Sequence, residues 1–101
     1  MFTSLSARLL RDDGAVVYLN GVEVWRSNMP TGTVSHLTLA ASAASGTDEY
    51  TYFTTTLSPL FLHAGTNLIA IEVHQNSNGI TDTRDVRIAL HTITRTLKFG
   101  V

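Results

Sequence analysis

Two places in the sequence hold residues whose types and spacing could do chemistry. They are the corner Arg11-Asp12-Asp13-Gly14 and the run Glu72-Val73-His74-Gln75-Asn76. Adjacent aspartates followed by glycine suit three roles. Asp side chains bond nearby backbone N–H groups and Gly supplies positive φ, which makes a turn. Paired carboxylates also present the hard oxygens that calcium takes, and a loop beside a strand adds backbone carbonyls. The third role is that of a glycosidase pair, two carboxyl groups about 5 to 9.5 Å apart across the scissile bond, for which Asp12 or Asp13 with Glu72 is the candidate set. Adjacent residues on one corner rarely straddle a bond, so the order of preference is turn, structural calcium on Asp12 and Asp13, then catalysis.

In an extended strand over 67–74, Leu68, Ala70, Glu72 and His74 share one face, and Ile69, Ile71 and Val73 share the other. Glu72 and His74 then stand about 7 Å apart, at the end that runs into the polar stretch QNSNG. Such a pair can be a sugar site, an acid/base couple, or a mutually satisfied pair on an outer sheet face. A transition metal needs a third ligand, and His36, His63 and His91 are scattered without H-x-H or H-E-x-x-H spacing. Sugar rings stack their flat C–H faces on Trp and Tyr while amide and carboxylate groups reach the hydroxyls. On that chemistry the candidate ligand-binding set is Tyr18, Glu23, Trp25, Glu72, His74, Gln75 and Asn76, the alternative being that the aromatics are core.

The elements that must position these groups read as strands, with no convincing helix. Period-2 alternation predicts strands at Ser4–Arg11, Ala15–Leu19 and Val22–Arg26, a fourth at Val34–Leu39, then Tyr50–Leu57 and Asn67–His74, and one long or two short strands over Val86–Leu97. In the first, Leu5, Ala7 and Leu9 face one way, and Ser4, Ser6 and Arg8 the other. Asn20-Gly21 between apolar runs predicts a type I′ hairpin, which pairs Leu19 with Val22, Tyr18 with Glu23, Val17 with Val24 and Val16 with Trp25. That register puts Val17, Leu19, Val22 and Val24 on a core face. Val16, Tyr18, Glu23 and Trp25 fall on a mixed aromatic and acidic face. The segment SPLFLHAGTN should make one helical turn before Gly65, and AASAASGTDE and QNSNGITDTRD read as long loops.

With 101 residues the chain is expected to be one domain. It is 44% hydrophobic and 15% charged with a net charge of −1, and no basic stripe appears, which argues against a nucleic-acid or anionic-membrane partner. Threonine-rich runs such as TYFTTTL suit the solvated face of a sheet. Cysteine is absent, which removes disulfides, thiolate metal sites and a cysteine nucleophile. No apolar run approaches the roughly 20 residues that span a bilayer. The N-terminal segment lacks the features of a signal peptide, so if the protein is exported this chain is expected to be a mature domain or an excised piece.

The phrases DDGAVVYLNGVEVWRSNMP, a GT-E segment and LHAGTNLIAIEVHQNS together resemble a jelly-roll module of large secreted bacterial proteins. That module belongs with the galactose-binding-domain-like sandwiches, among them carbohydrate-binding modules and the sugar-binding domain of β-galactosidases. The corner Asp12-Asp13-Gly14 also resembles the start of a hairpin in protective-antigen-type lectin domains, whose paired aspartates hold calcium. The resemblance implies an all-β antiparallel jelly-roll β-sandwich of seven or eight strands, secreted or at the cell surface. Its implied role is non-catalytic carbohydrate binding or adhesion, with no required cofactor beyond a possible structural calcium. A small glycoside hydrolase and a purely structural spacer are the alternatives. Such modules begin with a further strand before SARLLRDD; its absence leaves a sheet edge to be filled, either by the late segment ALHTITRTL or by a partner in a homodimer.

Overall fold

The computed structural model describes residues 2–42, 51–76 and 86–94. Among these the fold is all-β, with strands β1 (Phe2–Arg11), β2 (Gly14–Leu19), β3 (Val22–Ser27), β4 (Phe53–Leu57), β5 (Ile69–His74) and β6 (Val86–Thr94). They form two antiparallel sheets, ordered β4-β1-β6 and β3-β2-β5. The expected helical turn is a 3₁₀ turn at Pro59–Phe61, where Ser58 caps the start with its side chain accepting from the Leu60 N–H and Pro sits at the first position. No helix among the described residues is long and apolar enough to cross a membrane.

The alternation read from the sequence decides the core. Leu5, Ala7 and Leu9 of β1 are buried and face Ala15, Val17 and Leu19 of β2 across the two layers, with Leu57 of β4 joining them. Ile69, Ile71 and Ile88 pack against the same core as half-buried neighbours. Burying a branched aliphatic side chain contributes about 1.5–3 kcal/mol, so these residues hold the sheets together. The late segment does fill the edge of β1. β6 pairs along it, from Ala7 opposite Leu90 to Arg11 opposite Val86.

Two expectations on strands fail for identifiable reasons. Val34–Leu39 is not a strand, so six strands lie among the described residues rather than seven or eight. The Ser35 and Thr38 side chains take the local backbone instead: Thr38 Oγ1 accepts from the Ser35 N–H at 2.8 Å, and Ser35 Oγ accepts from the Leu37 N–H at 3.2 Å. Hydroxyls that satisfy nearby backbone groups compete with a ladder and favour a turn. The hairpin register also departs from the sequence reading. Leu19 pairs with Val22 and Tyr18 with Glu23, as expected, but Val17 pairs with Trp25 and Val16 with Arg26. Val24 is the extra residue of a β-bulge, and the bulge brings both Val24 and Trp25 against the core. Trp25 therefore leaves the face shared by Tyr18 and Glu23, and Val22, at the hairpin tip, is exposed rather than core. Parts of the Tyr50–Leu57 and Val86–Leu97 expectations, and most of both long loops, lie outside the described residues.

The hairpin turn itself is as expected, with Asn20 at φ 52° and Gly21 at φ 83°, the pair of positive values a type I′ turn needs. Asn20 does more than turn the chain. Its N–H donates to the Leu68 carbonyl at 2.8 Å and its Oδ1 accepts from the Leu68 N–H at 2.9 Å, so the β2–β5 ladder continues one step past Leu19. Its Nδ2 donates to the Phe61 carbonyl at 2.8 Å and to Asn67 Oδ1 at 2.9 Å, fastening the connection from the 3₁₀ turn. Glycine tolerates the same backbone conformation but has no amide. Asn20→Gly is expected to cost about 1–3 kcal/mol through lost and unsatisfied hydrogen bonds, read from the midpoint of urea unfolding. Trp25→Ala is expected to cost about 2–4 kcal/mol, as befits a half-buried core aromatic, where a purely exposed ring would leave the midpoint in place.

Candidate functional site

The outer face of the β3-β2-β5 sheet carries most of the chemistry. Pairing of β2 with β5 sets Val16 opposite Glu72, Tyr18 opposite Ala70 and Gly14 opposite His74, all on this face. Tyr18 and Glu72 are then diagonal neighbours, within reach for long side chains. Tyr18 Oη donates to Glu72 Oε2 at 2.9 Å, and Glu72 Oε1 lies 2.8 Å from His74 Nε2. The other nitrogen of His74, Nδ1, stands 2.7 Å from the Thr38 carbonyl oxygen. The histidine side chain is only 5% exposed, whereas that of Glu72 is 46% exposed. The chain Tyr18–Glu72–His74–Thr38 thus runs from the open face into the protein.

Thr38 belongs to a strap, residues 28–42, that returns over this face after β3. Its ends are fastened to the strand termini. Asn28, at φ 56°, donates from Nδ2 to the carbonyls of Asp13 at 3.2 Å and Ser42 at 2.6 Å. The Ala40 N–H donates to the Gln75 carbonyl at 2.9 Å, and Asn76 Nδ2 donates to the Ala40 carbonyl at 2.9 Å. An open cleft of about 340 Å³ lies between the strap and β5, lined by Val34, Ser35, His36, Glu72, Val73 and His74. The strap residues that wall it were not legible as a site, since Ser35 and His36 sit in what reads as a strand.

The electrostatics follow from the bonds. The contact from His74 first, and the Tyr18 hydroxyl second, hold the Glu72 carboxyl below the usual glutamate range. The same bond to Glu72 raises the Tyr18 hydroxyl above its ordinary value. A carboxyl whose folded pKa is depressed stabilises the fold above the ordinary glutamate range, and that contribution is lost as pH falls through the lowered value. Glu72 is therefore an ionised acceptor at neutral pH, not a proton donor. Both nitrogens of His74 are engaged, which leaves none facing a substrate for acid/base work.

The remaining candidates divide. Glu23 faces Tyr18 but is bound by Arg26, with Nε 2.8 Å from Oε2 and Nη2 3.2 Å from Oε1, and Arg26 Nη1 reaches the Pro30 carbonyl at 2.7 Å. Trp25 is turned to the core. Gln75 contributes its carbonyl and Asn76 its amide to the strap's anchor. At the corner, Asp13 Oδ2 accepts from the Asn76 N–H at 2.7 Å and the Asp13 N–H donates to the His74 carbonyl at 3.3 Å, while the Asp12–Asp13 peptide bond is cis. Asp13 thereby joins the end of β5 to the start of β2, which is corner chemistry. Among the described residues no three His, Asp or Glu stand where they could hold a metal ion together.

Gly14 corrects the sequence reading of this corner. It is not among the glycines at positive φ. A Cβ there would lie 2.6 Å from the Asn28 carbonyl oxygen, 2.8 Å from Met29 Sδ and 2.9 Å from the Ala40 Cβ. The residue is glycine because both ends of the strap press on it. Comparison with known proteins adds no relative: no family model, no curated protein and no solved structure matches the chain. Gly14→Ala is expected to cost about 1–3 kcal/mol by overpacking, with faster amide hydrogen exchange over residues 28–42 than in β1, as measured by exchange mass spectrometry.

Proposed function

We propose that the chain is a non-catalytic carbohydrate-binding module of the galactose-binding-like jelly-roll kind, working as part of a secreted or surface protein. The observation that carries this reading is the hydrogen-bonded row Tyr18–Glu72–His74 opening on the cleft beside the strap. An ionised, partly exposed carboxylate held at both oxygens by donors keeps lone pairs for sugar hydroxyls, and its orientation is fixed before a ligand arrives. The phenol ring of Tyr18 gives a half-exposed apolar surface next to it, the combination that sugar rings use. Pre-set acceptors of this kind reduce the ordering cost of binding.

The order of the strands supports the jelly-roll part of the reading. Successive strands cross between the sheets: β1 lies in one, β2 and β3 in the other, β4 back in the first, β5 in the second and β6 in the first. Among the described strands only β2 and β3 are joined as a hairpin between neighbours, and crossing of this sort is how double-sheet jelly rolls are wound. Among the described strands of the first sheet, a homodimer through a sheet edge would use β4 or β6, since β1 is paired on both sides. In the glycosidase alternative Glu72 is unsuited to the general-acid role, which needs a raised pKa, because this carboxyl is lowered.

A glycan array followed by titration calorimetry on the best ligand tests the reading. Binding without hydrolysis of chromogenic glycosides is expected. Tyr18→Phe should weaken it about three- to tenfold, the loss of one hydrogen bond that aligns the acceptor. Glu72→Ala should abolish it while circular dichroism stays that of a β-protein. Silence of the folded protein across the array would leave the spacer reading in its place.

A further inference from the structure

His74 faces two acceptors. The Thr38 carbonyl oxygen, 2.7 Å from Nδ1, can only accept, and an ionised Glu72, 2.8 Å from Nε2, can only accept as well. Neutral imidazole has one N–H and one lone pair; the doubly protonated form has two N–H donors. With Glu72 ionised, both contacts are hydrogen bonds only when both ring nitrogens carry protons. When one proton leaves, one contact becomes an approach of lone pairs.

Which contact yields follows from what holds each partner. The bond to the carboxylate is charge-assisted and about twice as strong as one to a neutral carbonyl. Glu72 is also fixed through its other oxygen by Tyr18. Thr38 lies in the middle of the strap, where Thr33 and residues 35–37 are exposed and the firm anchors are at Asn28 and Ala40. The remaining proton stays on Nε2, and the strap gives way at Thr38. Among the described residues the other charged and titratable groups around this point are few. Glu72 and Tyr18 stand on β5 and β2, His36 lines the cleft from the strap, Asp13 touches the His74 backbone from the corner, and the Glu23–Arg26 pair of β3 lies beyond Tyr18.

We propose that His74 is a proton-operated catch. Doubly protonated, it holds the strap that forms one wall of the cleft; losing a proton to solvent as the pH rises, it lets that wall move away and the site open. The inference rests on the proposed binding reading for its use, but the catch itself is a property of the free protein. The catch is engaged while both ring nitrogens of His74 carry protons, Nδ1 toward Thr38 and Nε2 toward Glu72.

Glu72→Gln separates this catch from a plain structural contact. A glutamine can donate from its amide to an unprotonated His74 Nε2 while its carbonyl still accepts from Tyr18, so Nδ1 keeps its proton for Thr38 without a second proton being needed. The experiment is a nuclear magnetic resonance titration between about pH 5 and 8, with no ligand added, following the His74 ring nitrogens and the backbone amides of residues 34–38. In the native chain the amides are expected to shift in one step together with His74 and to exchange faster with solvent above it. In Glu72→Gln that step should disappear, whereas in Tyr18→Phe, which leaves the Glu72–His74 contact in place, it should remain. Amides of residues 34–38 that stay still while His74 titrates would overturn the catch, as would an unchanged step in a folded Glu72→Gln protein. Because no sugar is present, either result stands apart from the outcome of the glycan experiments.

Discussion

The structure depends on a short corner. β1 and β2 are consecutive strands, yet each is the middle strand of a different sheet, and only Asp12 and Asp13 lie between Arg11 and Gly14. The three Cα steps from Arg11 to Gly14 span at most about 11 Å, and packed sheets lie about 10 Å apart. The corner therefore has no slack. Each central strand buries its own alternating apolar row against the other, Leu5, Ala7 and Leu9 against Ala15, Val17 and Leu19, and each of the other described strands adds to one of these two. A residue that closes such a corner is fixed on both sides, which is why Asp13 has its N–H and a carboxylate oxygen committed to the end of β5.

The candidate site inherits its geometry from that arrangement. With β2 central, its outer face is flanked by β3 on one side and β5 on the other, so Tyr18 meets Glu23 across one pairing and Glu72 across the other. The strap can lie on this face only because β2 starts with a residue lacking a side chain. At the other end of the sheet Asn20 does the equivalent fastening with an amide. The two ends differ in kind. The bonds made by Asn20 are neutral amide bonds, while the strap end contains a carboxylate and an imidazole in contact and so responds to protons.

Local rules carried much of this in the sequence. Asn20-Gly21 specified its turn, and the alternation in Ser4–Arg11, Ala15–Leu19 and Asn67–His74 specified which residues are inside, because a period of two leaves no other choice once one face is apolar. What local rules missed came from tertiary contact or from competition between neighbours. The bulge at Val24 has no turn residue to announce it; Trp25 moves inward because a large ring gains more by burial than register regularity loses. Val34–Leu39 has strand-like residues, but Ser35 and Thr38 satisfy each other's backbone first. Gly14 looks like a turn glycine beside two aspartates, and only the strap pressing on it reveals the reason for it. Glu72 and His74 were visible as a pair from spacing alone, whereas the Thr38 carbonyl, a backbone atom, carried no signal in the residue type.

The pairing of β1 has a consequence for how the chain reaches this state. Sheet β3-β2-β5 has a local start, a hairpin closed by two residues. The other sheet has none: Ala7 pairs with Thr55 on one side and Leu90 on the other. Such distant contacts pay loop-closure entropy before they return any stability, and they slow folding. β1 must therefore wait, with its apolar row exposed, while the hairpin that follows it in the chain is already formed. Ser4, Ser6 and Arg8 on its opposite face and Arg11 at its end keep that waiting strand from being apolar on both sides. Of the described strands, the first in chain order is enclosed only by strands that come far later in the sequence.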